Sequence, residues 1–300
     1  QTYPTKSVRL IIPGSPAGSV DTIGRLIAQR LSDALGQSVV ADNRAGAGTM
    51  IASELTAKSP PDGHTVLMVS NSHAINAGLY KTLPYDPVKD FSEVTLAATL
   101  PYLLVLHPSV PVTNVKELVA LAKKRPGELY FASAGSGSST HLAGELFNAM
   151  TGVKMTHVPY KGGAPGVTDL LGGHVQLMFN SPISVGALAK EGRLRTLAIT
   201  SAKRSPLYPQ TPTIAESGLP GYEAVAWYGM LVPARTPANA IATLNREVVK
   251  ILKMNDVRTR LAADGGETMG STPEEFAAYM RADIARWTKL IPTIGLKPEQ

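Results

Sequence analysis

The sequence predicts an α/β protein of two lobes built on mostly parallel sheets, and three observations carry that expectation. Apolar strand-like segments alternate with amphipathic helical segments almost throughout, the pattern of a parallel sheet covered on both faces. The 300 residues exceed what one hydrophobic core usually serves, and an apolar content of 44% is ample for two. Finally, two turns rich in glycine and serine each leave a strand and run directly into a helix. They are Gly14-Ser15-Pro16-Ala17-Gly18-Ser19 and Gly135-Ser136-Gly137-Ser138-Ser139-Thr140.

The elements follow in order. Residues 8–12 form an apolar strand, and after the first turn Ile23, Leu26, Ile27, Leu31 and Leu35 recur at helical spacing, with Gly36 at the C-terminal cap. A strand starts at Val39-Val40. A helix over 49–58 stops before Pro60-Pro61-Asp62-Gly63, and 65–69 reads as a buried strand. Val115, Leu118, Val119 and Ala122 mark a helix opened by Thr113 or Asn114. Lys123-Lys124-Arg125 close it, where cations offset the helix dipole, and Pro126-Gly127 end it.

The strand at 129–133 leads into the second glycine turn, and the helix beyond runs through Leu142, Leu146 and Phe147. Short strands at 155–158, 175–179 and 194–200 continue the alternation. Apolar segments at 103–106 and 227–232 are placed as the strands that cross between lobes. Helices over 237–254 and 273–290 complete the chain, the second opened by Ser271-Thr272-Pro273-Glu274-Glu275 with a hydroxyl cap, an early proline and early acids. The expected division is 1–102 with 227–300 for lobe one and 103–226 for lobe two.

Composition narrows the chemistry. The net charge of +6 is scattered, with no basic stripe interleaved with aromatics, so nucleic acid is not an expected partner and small anions are. Cysteine is absent, which excludes thiolate catalysis, cysteine-ligated metal and disulfides. The most apolar stretch, 96–106, is broken by Pro101 and falls short of the ~20 residues of a membrane helix. The chain is therefore expected to be soluble. No signal peptide is visible, and the polar start at Gln1 suits a mature chain cut from an exported precursor.

Enzyme motifs are missing. Gly46-Ala47-Gly48-Thr49-Met50-Ile51 has two glycines of a dinucleotide fingerprint but Ile51 where a third small residue belongs, and Gly135-Ser136-Gly137 also lacks the third. No phosphate-loop lysine follows either turn, and there is no nucleophile elbow and no zinc helix. The six histidines are dispersed along the chain. No catalytic residue, metal ligand or cofactor is assigned. What the two turns do offer is an anion site: free N–H groups at a helix start, the positive end of its dipole, and short hydroxyl side chains.

Dispersed segments carry a family resemblance. They are the first strand and turn through Asp21, DNRAGAG at 42–48, PDG at 61–63, YDPVKDF at 85–91 and GSGSSTHLAGE at 135–145. HVPYKGG at 157–163, TSAKRS at 200–205 and PTIAESGLPGY at 212–222 complete the set. In this order, from Tyr3 to beyond Trp287, they make the sequence resemble the Bug-type substrate-binding proteins of tripartite tricarboxylate transporters. The resemblance implies a periplasmic receptor of Venus-flytrap architecture, a monomer that closes on a small organic carboxylate and presents it to membrane permease subunits. Two competing functions remain compatible with the sequence: a ligand sensor for a signalling partner, and a small-molecule transferase or lyase.

Proteins of this type hold a carboxylate through backbone N–H groups, hydroxyls and water, which requires small residues beside the anion. Ser15, Ala17, Gly18 and Ser19 suit this in lobe one, with Ser70, Asn71 and Ser72 at the end of the neighbouring strand. In lobe two the candidates are Gly135, Ser138, Ser139, Thr140 and Tyr160, with Asn180 and Ser181. Several have a second reading. Ser138 to Thr140 can be helix caps, Tyr160 and Trp227 packing residues, Asp21 a dipole complement, and His141 a buried hydrogen-bonding group; Gly46-Ala47-Gly48 shapes a turn. Against the family pattern, Gly14 stands in place of an aromatic, Pro16-Ala17-Gly18 replaces Pro-Gly-Gly, and Asn180 replaces an aspartate suited to an ammonium. A roomier pocket and a ligand without an amine, a dicarboxylate or aromatic carboxylate, are the expectations that follow.

Overall fold

The computed structural model describes residues 3–263 and 265–293. In chain order its elements begin β1 (Val8–Ile12), α1 (Ser19–Leu35), β2 (Val39–Asn43), a 3-10 turn (Ala47–Thr49), α2 (Met50–Ala57), β3 (Thr65–Ser70) and α3 (Ser72–Leu79). They continue with β4 (Phe91–Pro101), β5 (Leu103–Leu106), α4 (Val115–Lys124), β6 (Tyr130–Ser133), α5 (Ser139–Thr151), β7 (Thr156–Pro159) and α6 (Gly163–Leu171). The rest are β8 (Leu177–Asn180), α7 (Pro182–Lys190), β9 (Arg195–Ile199), β10 (Val225–Pro233), α8 (Ala238–Lys253), α9 (Asn255–Ala263), β11 (Glu267–Thr268) and α10 (Pro273–Thr293).

Two sheets organise these elements into two lobes. One has the order β11-β4-β10-β3-β1-β2, the other β7-β6-β8-β5-β9. Each contains a parallel trio, β2-β1-β3 in the first and β7-β6-β8 in the second, joined by helical crossovers. The strands added to each trio run antiparallel: β10 against β3 and β4, β11 against β4, and β5 against β8 and β9. β10 and β5, on the passages between lobes, are inserted against the trios, while β4 and β9 follow α3 and α7 and run in the direction of the trios beyond them.

The long apolar stretch around Pro101 is the first crossing. β4 ends in sheet one, Tyr102 intervenes, and β5 opens in sheet two. The chain returns before β10. Thr200 ties the two passages together: its Oγ1 accepts from Tyr102 N at 2.7 Å and donates to Ala224 O at 2.5 Å.

Both faces of the central strands are buried, while the edge strands β2 and β7 are only partly covered. Leu10 and Ile12 enter one apolar cluster with Leu104, Phe131 and Phe179, which is continuous across both lobes. Ile11 faces a second cluster with Leu67, Trp227, Phe276 and Trp287, while Leu103 and Val105 face a third with Ala132, Met178 and Ile199. The C-terminal helices rejoin the first sheet, α8 against α1 and β4, α10 against α3 and β4. Gly78 permits the α3–α10 contact, since a Cβ there would sit 2.9 Å from Thr288 Cα.

Local signals are realised closely. Gly36 adopts φ 65° and donates to Ser32 O, and Asn114, rather than Thr113, caps α4 by accepting from Glu117 N. Thr272 and Glu275 form a reciprocal capping box at the start of α10. Helices α3 and α9 and strands β4 and β11 were not resolved as elements by the sequence patterns.

Candidate functional site

A cleft of about 1000 Å³ lies between the lobes. Its walls come from the carboxyl ends of all six parallel strands, each of which feeds a turn into a helix. β1, β2 and β3 deliver the turns before α1, α2 and α3; β6, β7 and β8 deliver those before α5, α6 and α7. This is where the topology of an open α/β sheet places a ligand.

Of the fourteen residues the sequence proposed, all but Asn71 line this cleft. Asn71 turns away, donating weakly from Nδ2 to Val225 O at 3.4 Å, and lines a smaller cavity behind the crossing strands. It stands one residue past the strand end, and the reversal of side chains along the chain there sends it to the opposite face from Ser70 and Ser72.

Five of the six helices that start at the cleft have no side-chain hydrogen bond to their N-terminal N–H groups: α1 at Gly18, α2 at Thr49, α3 at Asn71, α6 at Gly162 and α7 at Ser181. The sixth, α5, is capped by Ser138, whose Oγ accepts from His141 N at 3.3 Å. The capping reading of Ser138 is thus realised alongside its place on the wall. Thr140 Oγ1 accepts from Ala134 N at 3.0 Å and holds the glycine turn, while Ser139 Oγ accepts from Tyr102 OH at 2.6 Å. Gly135, at φ 129°, sits where a Cβ would lie 3.1 Å from Tyr160 O.

The first turn is braced from behind. Asp21 is buried and accepts from Ala17 N, Arg25 Nε and Asn43 Nδ2 at 2.8–2.9 Å. Burial raises its carboxyl, but the hydrogen bonds from Arg25, Asn43 and Ala17 outweigh this and hold it below the usual carboxylate range. Ala17 has φ 64°, a left-handed conformation that glycine adopts at lower cost. A Cβ on Gly14 would lie 2.5 Å from Val20 Cγ1, so Val20 packs directly against the turn at Gly14.

In lobe two, the pair His141 and His157 supports the second turn. Their rings stack at 3.8 Å, His141 Nδ1 accepts from Gly137 N, and His157 Nε2 lies 2.6 Å from Ser133 Oγ. Burial, with repulsion from His141, pushes the His157 imidazole down to about 3. Tyr160 directs its hydroxyl to Asp169 at 2.6 Å, so it offers the cleft its ring. Trp227 is a packing residue outside the cleft, its indole donating to Asp283.

Electrostatically the cleft is simple. Among the described residues that line it there is no Asp, Glu, His or Arg, and Lys161 carries the charge. Asn180 is 5% exposed; its Oδ1 accepts from Ser181 N at 2.8 Å, which leaves Nδ2, near Met178 Sδ at 3.5 Å, as the end that can donate to a ligand. The lobes also touch directly, with Ser19 Oγ and Ser181 Oγ at 2.7 Å.

The profile of the tripartite tricarboxylate transporter family receptor matches residues 23–296. The chain belongs to that family. Protein BugT of Bordetella pertussis is 38% identical over 298 residues, covering 99% of this chain and 91% of BugT. Among solved structures, Rpa4515 of R. palustris with adipate superimposes with a TM-score of 0.95 at 41% identity, over 99% of this chain and 100% of that one. MatC from Rhodopseudomonas palustris with bound malate gives 0.91 at 31% identity, over 96% of this chain and 100% of MatC. The receptor is thus a two-lobed solute-binding protein of mixed α/β architecture.

The sequence reading missed several residues of the receptor's wall. The turn Ala45–Thr49, the segment Lys161–Ala164 and Ser184 follow strand ends that the alternation already marked, so listing every such end would have found them. Tyr80, Tyr102 and Tyr228 reach the cleft from a helix end and the crossing strands, where no local pattern signals it.

Proposed function

We propose that this receptor works outside the cytoplasm, in the periplasm, capturing a small organic carboxylate that lacks an amine and delivering it to membrane permease subunits. A dicarboxylate or an aromatic carboxylate fits best, and the working unit is a monomer. The observation that carries this reading is the convergence of uncapped helix starts on a cleft wall without a carboxylate. Such a wall supplies N–H donors and positive dipole ends to an anion and nothing to balance an ammonium. The adipate and malate held by the two structural relatives are of the same class. No helix among the described residues is long and apolar enough to cross a membrane, which accords with a separate permease.

The proposed hinge lies at 102/103 and 226/227, with 103–226 as lobe two. Ligand contacts from both lobes become simultaneous only when the cleft is closed, so the ligand draws the population toward that state. Differential scanning fluorimetry with mono-, di- and aromatic carboxylates and amino acids tests the reading. A cognate acid at a hundredfold excess over its Kd stabilises by about 2.7 kcal/mol and is recovered unchanged. A panel without a single shift, or conversion of the stabilising acid, refutes it.

A further inference from the structure

The small cavity that receives Asn71 is about 300 Å³ in volume and lies behind the cleft, at the passage between lobes. Tyr102 and the Ala224–Val225 segment form its hinge side, and Tyr279, Asp283, Arg286 and Trp287 of α10 close it. Tyr102 and Ser139 line both this cavity and the carboxylate cleft, so the two share a dividing wall.

Two acceptors on its wall, the Asn71 amide oxygen and the Asp283 carboxyl, stand beside the Arg286 guanidinium and the Trp287 indole. Asn71 is 4% exposed, and its Oδ1 is buried with no hydrogen-bond partner. Asp283, on the cavity wall, accepts from Trp227 Nε1 at 2.7 Å through Oδ2, and the Trp287 indole also stabilises its charged form. Asp283 has no ion pair within 4.0 Å among the described residues. The guanidinium of Arg286 lies on the same wall without pairing with Asp283: it donates to Glu223 O at 3.0 Å and lies 5.4 Å over the Trp287 ring. Glu223 also lines the cavity, and the rings of Trp227, Tyr279 and Trp287 surround the space. Burial raises the Asp283 carboxyl and outweighs the hydrogen bonds from Trp227 and Trp287 and the attraction of Arg286.

We propose that this hinge cavity is a second binding site, separate from the cleft, that takes a small primary ammonium ion through Asp283 and Asn71 Oδ1. The ammonium donates to both oxygens, and the aromatic rings add favourable contact with a cation. A bare metal ion is disfavoured because no group of three His, Cys, Asp or Glu among the described residues is placed to hold one. The site does not depend on which solute occupies the cleft.

The test is calorimetric titration of the full chain with methylammonium chloride, against tetramethylammonium chloride at matched ionic strength. Methylammonium is expected to bind saturably with one site per chain. Asp283→Asn keeps an acceptor for Trp227 and removes the charge, and Asn71→Leu removes the buried acceptor. Each is expected to weaken binding about tenfold or more, the usual consequence of losing a hydrogen bond to a charged group. Tetramethylammonium, which has no N–H, is expected to bind at least about tenfold more weakly for the same reason. Carboxylate affinity of the Asp283→Asn variant, measured without ammonium, is expected to match the parent and shows that the variant is folded. Absence of saturable methylammonium binding overturns the proposal. So does equal affinity for tetramethylammonium, or affinity that survives both substitutions.

Discussion

Asn180→Asp separates an anion receptor from an amino-acid receptor by sign as well as size. Asn180 is buried on the cleft wall, and its Oδ1 already accepts from Ser181 N at 2.8 Å. A carboxylate keeps that hydrogen bond and replaces Nδ2, the donor facing the ligand, with a second negative oxygen. Two unit charges about 5 Å apart at an effective dielectric of about 20 repel by about 3 kcal/mol. This corresponds to roughly hundredfold weaker binding of a carboxylate. An amino acid gains instead, because its ammonium acquires a counter-charge. Calorimetry with adipate, benzoate and aspartate on both proteins reads the difference. Burial and the ligand's own charge both raise the introduced carboxyl, so lowering the pH from 7 to 5 is expected to restore part of the lost affinity. Tight binding of aspartate by the parent protein, together with undiminished carboxylate binding by the variant, would refute the assignment.

Four further outcomes are expected. Ala17→Gly relieves a left-handed alanine that costs about 1–2 kcal/mol, against about 0.4–1 kcal/mol of added chain entropy when unfolded, so the melting temperature rises slightly; a clear drop contradicts the strain. Ser19→Ala removes the hydroxyl pair with Ser181 and shifts the ligand-free protein toward open forms. Small-angle scattering then shows a larger radius of gyration without ligand and none of the difference at saturation. Ser138→Ala removes the α5 cap and lowers stability by about 1 kcal/mol in denaturant titrations; affinity that falls with unchanged stability shows that the hydroxyl serves the ligand alone. His73 is buried, and burial pushes its imidazole down to about 4 from 6.5 in the unfolded chain. The unfolded state therefore binds the extra proton first, and stability is full above about pH 6.5 and declines as pH falls toward 4, by up to about 3 kcal/mol. His73→Gln is expected to lack that part of the decline, and identical pH profiles of the two proteins speak against the assignment.

The trios of parallel strands were legible because each is a short apolar run bounded by glycine, proline and hydroxyl residues. Val8–Ile12 and its turn are realised as read, and five of the strand ends already carried candidate residues. The crossing was harder. Strand β4 lies between β10 and β11 with both faces covered, and β5 continues it after Tyr102, so hydropathy shows a single run with a proline inside. Helix α3 is eight residues long and buries His73 and Asn76 along with its apolar side chains, which leaves no amphipathic period to detect. Asn71 was assigned to the cleft for the company of Ser70 and Ser72. Sequence adjacency at a strand end does not determine which way each side chain points, and the one that differs opens the second cavity.

A cleft whose described lining carries one lysine can still hold an anion, because the donors are fixed before the ligand arrives. Asp21 pins the first turn through Ala17, and the stacked His141 and His157 pin the second through Gly137 and Ser133. Oriented N–H groups lose little entropy on binding, whereas a long basic side chain must be immobilised and stripped of water. The arrangement also favours release, since no buried ion pair has to be broken. The direct bond between Ser19 and Ser181 is worth about 0.5–1.5 kcal/mol at most, too little to hold the lobes together against their freedom to separate. Most of the closing free energy must come from a ligand touching turns of both lobes at once. An acid too short to span them contacts one lobe in the open and closed states alike, and a ligand with equal affinity for two states shifts neither. Length and shape, read through closure, therefore select the solute in a site with so little charge of its own.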